Sequence, residues 1–232
     1  MHIPDGLLDF KTWGTLYGVS GGATAYALYK VKDTLAEKKI PMLGITAAFI
    51  FAAQMLNFPV GAGVSGHFLG AMLACVMLGP WEGFLVMVVV LTVQCLIFAD
   101  GGFAALGANI FNMALIAGPL CYFMFAISKS AMSRKFSERT SLLTSLAVFS
   151  WLSVVLASAA AALELTISNI IKLPFASVFS PVVGANMLIG IGEAAITVIV
   201  VTVVLQARPD LVNAYKGPPL RKLPVEEEGS LT

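Results

Sequence analysis

The chain has 232 residues, 58% hydrophobic and 12% charged, with a formal net charge of +1. Soluble domains carry about 25% charged residues, so this composition, with mean hydropathy +0.89, excludes a soluble globular domain and reads as a polytopic membrane protein. Cys75, Cys95 and Cys121 lie inside apolar runs without CxxC or CxxH spacing, which reads as small buried hydrophobes rather than disulfides, metal ligands or nucleophiles.

The chain opens MHIPDG. A histidine at a fraying terminus is ordinarily solvated, yet Met-His is also a chelator by construction. The Met1 amine, the Met1–His2 peptide nitrogen and the His2 imidazole can close two fused rings on one ion, offering three nitrogens in a plane once the amide gives up its proton to the metal. Nickel(II) and copper(II) favour such tetragonal nitrogen sites and cobalt(II) tolerates them, whereas zinc prefers tetrahedral sites and calcium oxygen. Pro4 biases Ile3 toward an extended backbone, and Asp5-Gly6 reads as a turn that folds the arm back. The first apolar run is Gly-rich and has no basic start, so no signal peptide is expected and the amine is expected to remain on Met1.

Apolar runs near 12–30, 41–57, 66–79, 83–99, 104–127, 140–163 and 182–206 predict seven helices. The third is short for a span of about 20 residues; it either crosses thin membrane, begins inside the preceding loop or is partly re-entrant. Lys30, Lys32, Lys38 and Lys39 follow the first run, Lys129, Arg134, Lys135 and Arg139 the fifth, and Arg208, Lys216, Arg221 and Lys222 the seventh. With seven spans all three clusters share one side, leaving Lys11 and Lys172 on the other, so the positive-inside rule predicts N-terminus outside and C-terminus inside. Residues 1–206 then form a single transmembrane domain and 207–232 a partly disordered cytoplasmic tail. Gly14, Gly18 and Gly22, like Ala48 and Ala52, recur every four residues and read as close helix packing within the bundle or against a partner.

His67, the only other histidine, opens the third run behind the Gly-rich FPVGAGVSG. On this topology it shares the outer side with His2. Gly61, Gly63 and Gly66 match GxGxxG, but no βαβ unit surrounds them; a close-packed loop at membrane depth, lining a cavity, places His67 beneath an inserted arm. Otherwise His67 caps its helix on a neighbouring carbonyl. Asn57, Ser65, Asp100, Asn109 and Asn112 gather in the outer half and could orient imidazoles and hold the arm, the plainer reading being interhelical hydrogen bonds. Gln54, Asn186 and Glu193 are further polar residues inside spans, and Glu82 and Glu164 take no evident role. Proton competition is expected to weaken metal binding as pH falls through about 8 to 6.

MHIPDG, GVSGH, FADGG…LGANIFNM and IGE together resemble the CbiM/NikM family, membrane-embedded substrate-binding subunits of energy-coupling-factor transporters for cobalt and nickel. The resemblance, covering about residues 1–206, implies an all-α bundle of one extra N-terminal helix plus a six-helix core, with the terminus tucked into its centre. It implies a metal site at Met1, His2 and His67, with Ni²⁺ (alternatively Co²⁺) as bound substrate. It further implies a prokaryotic cell membrane and three kinds of partner: a transmembrane coupling subunit, ATPase subunits and a small accessory membrane subunit. No G-x-x-x-x-G-K-[ST] motif is present, so ATP hydrolysis is expected from partners. The alternative is a self-contained proton-coupled cation transporter using Asp100 and Glu193. An intramembrane enzyme finds no support, since HExxH and paired intramembrane aspartates are both missing.

Overall fold

Asp9 opens the first helix by accepting the Thr12 N–H at 3.2 Å, an N-cap that satisfies one otherwise orphaned donor. From there, the computed structural model (residues 1–33, 40–56, 58–61, 64–170 and 172–217 are described) runs through seven helical passes among the described residues. They are α1 (Phe10–Val31), α2 (Ile40–Gln54), α3 (Ala71–Leu78), α4 (Pro80–Phe98), α5 (Leu106–Met132), α6 (Glu138–Ser168) and α7 (Phe175–Ala207). Four of them, α4 to α7, are long and apolar enough to cross a membrane. The most apolar window of α7 has mean hydropathy 2.5 yet is only 28% buried; a helix so apolar and so exposed faces lipid. This is a multi-pass membrane bundle.

The seven passes correspond to the seven predicted runs, and alternating directions bring the described members of the three basic clusters to one end. Two regions differ from the sequence expectation. First, an antiparallel hairpin, β1 (Phe58–Gly61) and β2 (Val64–Gly66), precedes α3; Pro59 and the glycines hide the alternating pattern that announces a strand. Second, only residues 71–78 of the third run are helical. Gly70 turns through φ +78°, and polar side chains from α2 and α7 take up the backbone groups before it. The third pass is thus loop plus short helix, the arrangement membranes tolerate only when enclosed by protein. Every residue of α3 is buried.

Both ends of that enclosed helix need partners. At its far end the Ala214 N–H donates to the Val76 carbonyl at 3.1 Å and the Asn213 N–H to the Met77 carbonyl at 3.2 Å. Lys129 bonds the Ala214 carbonyl and pairs with Glu138. Residues 209–216 therefore strap across the far end of α3 instead of leaving the bundle at Arg208. Residues 218–232 of the predicted tail lie outside the described residues.

In α5 the stretch Phe111–Leu120 widens to π-helical geometry around Pro119, whose ring cannot donate to the ladder. The packing contacts of α1 lie elsewhere than its Gly14/Gly18/Gly22 stripe. A Cβ on any of the three would meet nothing, so that stripe is not close-packed within the chain. Instead Gly107 of α5 abuts the Tyr17 backbone, and Ser20 Oγ donates to the Gly107 carbonyl at 2.7 Å.

Candidate metal centre

Residues 1–9 turn inward. Met1 is 1% exposed, His2 4% and Ile3 0%, a burial unlike that of an ordinary chain end. The arm is held by its backbone. Asn109 clamps Ile3 from both sides, its Oδ1 accepting the Ile3 N–H at 2.8 Å and its Nδ2 donating to the Ile3 carbonyl at 3.1 Å. That carbonyl also accepts the Gly102 N–H at 3.0 Å. Asp5 accepts the Phe103 and Ala104 N–H groups at 3.0 and 2.7 Å, and the Asp9 N–H donates to Ser168. Gly6, at φ +85°, completes the turn read from Asp5-Gly6. A Cβ at Gly102 would drive into the Asp5 backbone nitrogen, so only glycine allows this close approach.

The arm carries His2 onto His67, which is 1% exposed; the rings stack with centroids 4.8 Å apart. Hydrogen bonds fix which nitrogens face each other. His67 Nδ1–H donates to the Phe68 carbonyl at 2.6 Å, and a carbonyl can only accept, so Nε2 is the lone-pair nitrogen. His2 is set by a longer chain that ends on another carbonyl. Gln54 Nε2 donates to Leu69 O at 2.6 Å, Gln94 Nε2 donates to Gln54 Oε1 at 2.9 Å, and Gln94 Oε1 accepts from His2 Nε2 at 3.2 Å. That polarity resolves both amide orientations and makes Nδ1 the acceptor nitrogen of His2.

The two acceptor nitrogens, His2 Nδ1 and His67 Nε2, lie 3.2 Å apart. Adjacent ligands of a square plane with bonds of about 2.0–2.1 Å stand about 2.9 Å apart. Nδ1 is also the ring nitrogen that closes a six-membered chelate with the peptide nitrogen of its own residue. Asp100 Oδ1 lies 3.3 Å from His2 Nδ1, bringing negative charge to the same point. Asp100 is held there by the end of α4, where Ala99 turns left-handed (φ 54°) and the Asp100 N–H returns to the Gln94 carbonyl at 3.0 Å. Among the described residues no three His, Cys, Asp or Glu side chains form a metal cluster.

Burial holds the Met1 amine well below its ordinary value, against the pull of Asp100. It likewise depresses His2, with the charge of the nearby amine acting in the same direction. Both groups therefore lose their protons at lower pH than they would at an exposed chain end.

Of the other predicted residues, Asp100 and Asn109 join the site directly. Asn112 faces elsewhere: its Nδ2 donates to Glu164 at 2.7 Å, and it does not touch the arm in any described bond. Asn57 lies outside the described residues. Ser65 lies in β2, its side chain outside the described part. Sequence reading left three contributors unassigned. Gln54 and Gln94 orient His2, and Glu193 accepts the Leu69 and Gly70 N–H groups at 2.7 and 2.8 Å. The available signal was their polarity inside apolar runs; their pairings required the fold.

A family model described as "Cobalt uptake substrate-specific transmembrane region", CbiM, matches residues 2–211. A relative from Archaeoglobus fulgidus, provisionally named a fused nickel transport protein NikMN, is 39% identical, the alignment covering 94% of this chain and 70% of that one. One from Methanosarcina barkeri, provisionally named the cobalt transport protein CbiM 2, is 29% identical over 96% of this chain and 98% of its own. Among solved structures, a truncated transition metal transporter superposes with TM-score 0.80 at 30% identity, covering 89% of this chain and 99% of that one.

Proposed function

This chain belongs to the CbiM family of substrate-specific membrane components for cobalt or nickel uptake, and we propose that it captures Ni²⁺, in preference to Co²⁺, through Met1, His2 and His67. The observation that carries the reading is the facing of His2 Nδ1 and His67 Nε2 at 3.2 Å. The Met1 amine and the His2 peptide nitrogen, once it gives up its proton, would complete a plane of four nitrogens, a set suited to low-spin nickel(II). The basic residues gathered at the opposite end favour an outward-facing arm, so capture occurs outside. As a transport protein it would hand the ion inward with ATPase subunits, a transmembrane coupling subunit and a small accessory membrane subunit. The chain from residue 207 onward would face the cytoplasm, and the membrane would be that of a prokaryotic cell.

Purified protein carrying no N-terminal tag is expected to bind one nickel per chain and to turn yellow and diamagnetic. A paramagnetic or colourless nickel complex would rule out the planar site. The protonation states give a second expectation. Both kinds of base are depressed below their ordinary 8.0 and 6.5, so proton competition begins at lower pH than in an exposed Met-His peptide. Because the peptide nitrogen gives up its proton to the ion, nickel titrations are expected to show affinity falling about tenfold per pH unit from pH 8 to 7 in the protein, and more steeply in the exposed peptide, whose amine is by then mostly protonated. An affinity declining from pH 8 in parallel with the peptide's would contradict a buried amine.

A further inference from the structure

His67 is two residues from Leu69, and the hydrogen bond its ring donates goes to the Phe68 carbonyl at 2.6 Å. That carbonyl belongs to the same peptide unit as the Leu69 N–H. The unit is planar and trans, so its C=O and N–H point in opposite directions and turn together. Glu193 Oε2 accepts the Leu69 N–H at 2.7 Å while Oε1 accepts the neighbouring Gly70 N–H at 2.8 Å. Two bonds from one carboxylate fix the plane of the peptide, and the plane fixes where the Phe68 oxygen lies. Glu193 comes from the middle of α7, is 1% exposed, and is remote in sequence from every ligand.

We propose that Glu193 is a positioning residue of the metal centre: acting through the Phe68–Leu69 peptide, it sets the tautomer and donor strength of His67. The inference rests on His67 being a ligand. A carboxylate drawing on the N–H side of a peptide polarises its carbonyl, as in any chain of cooperative hydrogen bonds. The carbonyl then draws more strongly on His67 Nδ1–H, which locks that proton in place and makes Nε2 the better electron donor. Metal-bound histidines commonly have a carboxylate on the second ring nitrogen; here a peptide group is interposed between the two. Leu69 also ties the two imidazoles together, because its N–H serves the His67 side through Glu193 and its carbonyl ends the Gln54–Gln94 chain that orients His2. Gly70 is suited to this turn, as its φ of +78° leaves its N–H directed at Glu193.

Glu193→Gln keeps the shape of the side chain but presents an NH₂ group to one of the two N–H donors. Nitrogen NMR of isotope-labelled histidine in the metal-free, gel-filtered protein reads the His67 tautomer without any metal. The wild type is expected to show a single Nδ1–H form at His67, and Glu193→Gln a mixture of both tautomers. In nickel titrations of the same folded fraction, the variant is expected to bind about 10- to 100-fold more weakly, with its ligand-field band moved to longer wavelength. Glu193→Asp, which restores the carboxylate one methylene short, is expected to recover part of both signals. Unchanged tautomer in Glu193→Gln, whatever the affinity does, would overturn the proposal, since a purely structural anchor for α3 would lower the folded yield and leave the ring alone. Should the glutamine variant not fold, Glu193→Ala, which removes the carboxylate altogether, is read in the same way. Stoichiometric nickel on His67→Ala would instead show that the ligand set is wrong, an outcome the metal-free spectra distinguish from failure of the Glu193 link.

Discussion

One residue inserted between Met1 and His2 is expected to abolish tight nickel binding while leaving the bundle folded. The chelate depends on ring sizes: the amine and its adjoining peptide nitrogen close a five-membered ring, and that nitrogen with His2 Nδ1 closes a six-membered one. Insertion moves the amine one peptide further out and brings in a second peptide nitrogen, so the ring pattern no longer leaves the fourth position to His67. The fold offers no slack to absorb the change, because Asn109 grips both the N–H and the carbonyl of Ile3, and Met1 already fills its place at 1% exposure. The added residue must either lever Ile3 out of that clamp or displace Met1. If a four-nitrogen site is worth about 10–16 kcal/mol, as structural zinc sites are, losing two of four ligands removes about 5–8 kcal/mol, or about 10⁴- to 10⁶-fold in affinity. Nickel content after gel filtration measures it directly. An extension at the C-terminus serves as control and is expected to leave binding intact. An inserted variant that still carries one nickel per chain, and loses it when His67→Ala is added, would remove the Met1 amine from the ligand set.

How much of this was legible beforehand follows from the range of each interaction. The seven passes were readable because spanning a membrane demands long apolar runs, and that demand is local in sequence. The chelating dipeptide was readable for the same reason: Met1 and His2 are adjacent, so no fold is needed to see the rings they could form. Asp100 and Asn109 were recognised as expensive polar residues in apolar surroundings, though Asn109 turned out to grip the arm's backbone and not an imidazole. Asn112 carried the same signal, with a helical spacing of three from Asn109, yet it pairs with Glu164. Spacing places side chains on one face, and a neighbouring helix decides what each one meets. The Gln54–Gln94 pair and Glu193 join α2, α4 and α7 to the loop before α3; these contacts span 40 and 124 positions, and no local pattern encodes them. The short third helix was foreshadowed by its length, but its hairpin was not, since glycine and proline erase the period of a strand.

His67→Ala is the complementary expectation, because it removes a ligand without disturbing the arm. None of the described bonds that hold residues 3–9 involves His67, and the Asn109 clamp and the Asp5 contacts remain. In the metal-free protein the substitution also removes one of two acceptor nitrogens that face each other at 3.2 Å, an arrangement that an ion rewards and its absence does not. The metal-free variant is therefore expected to melt close to the wild type even though a buried ring has been lost. With nickel the two diverge. Loss of one ligand in four removes about 3–4 kcal/mol, or about 10²- to 10³-fold in affinity. At a nickel concentration a thousandfold above the wild-type dissociation constant, binding stabilises the wild type by about 4 kcal/mol and the variant by roughly 1 kcal/mol or less. Thermal melts with and without nickel therefore separate ligand loss from misfolding: the first erases the metal-induced shift, the second lowers both curves together. A full nickel-induced shift in His67→Ala would mean that another group supplies the fourth position, and Asp100, 3.3 Å from His2 Nδ1, would be the residue to substitute next. An Asp100→Asn change keeps the shape of that side chain and removes its charge, so a shift that survives His67→Ala but disappears in the double variant would assign the position to the carboxylate.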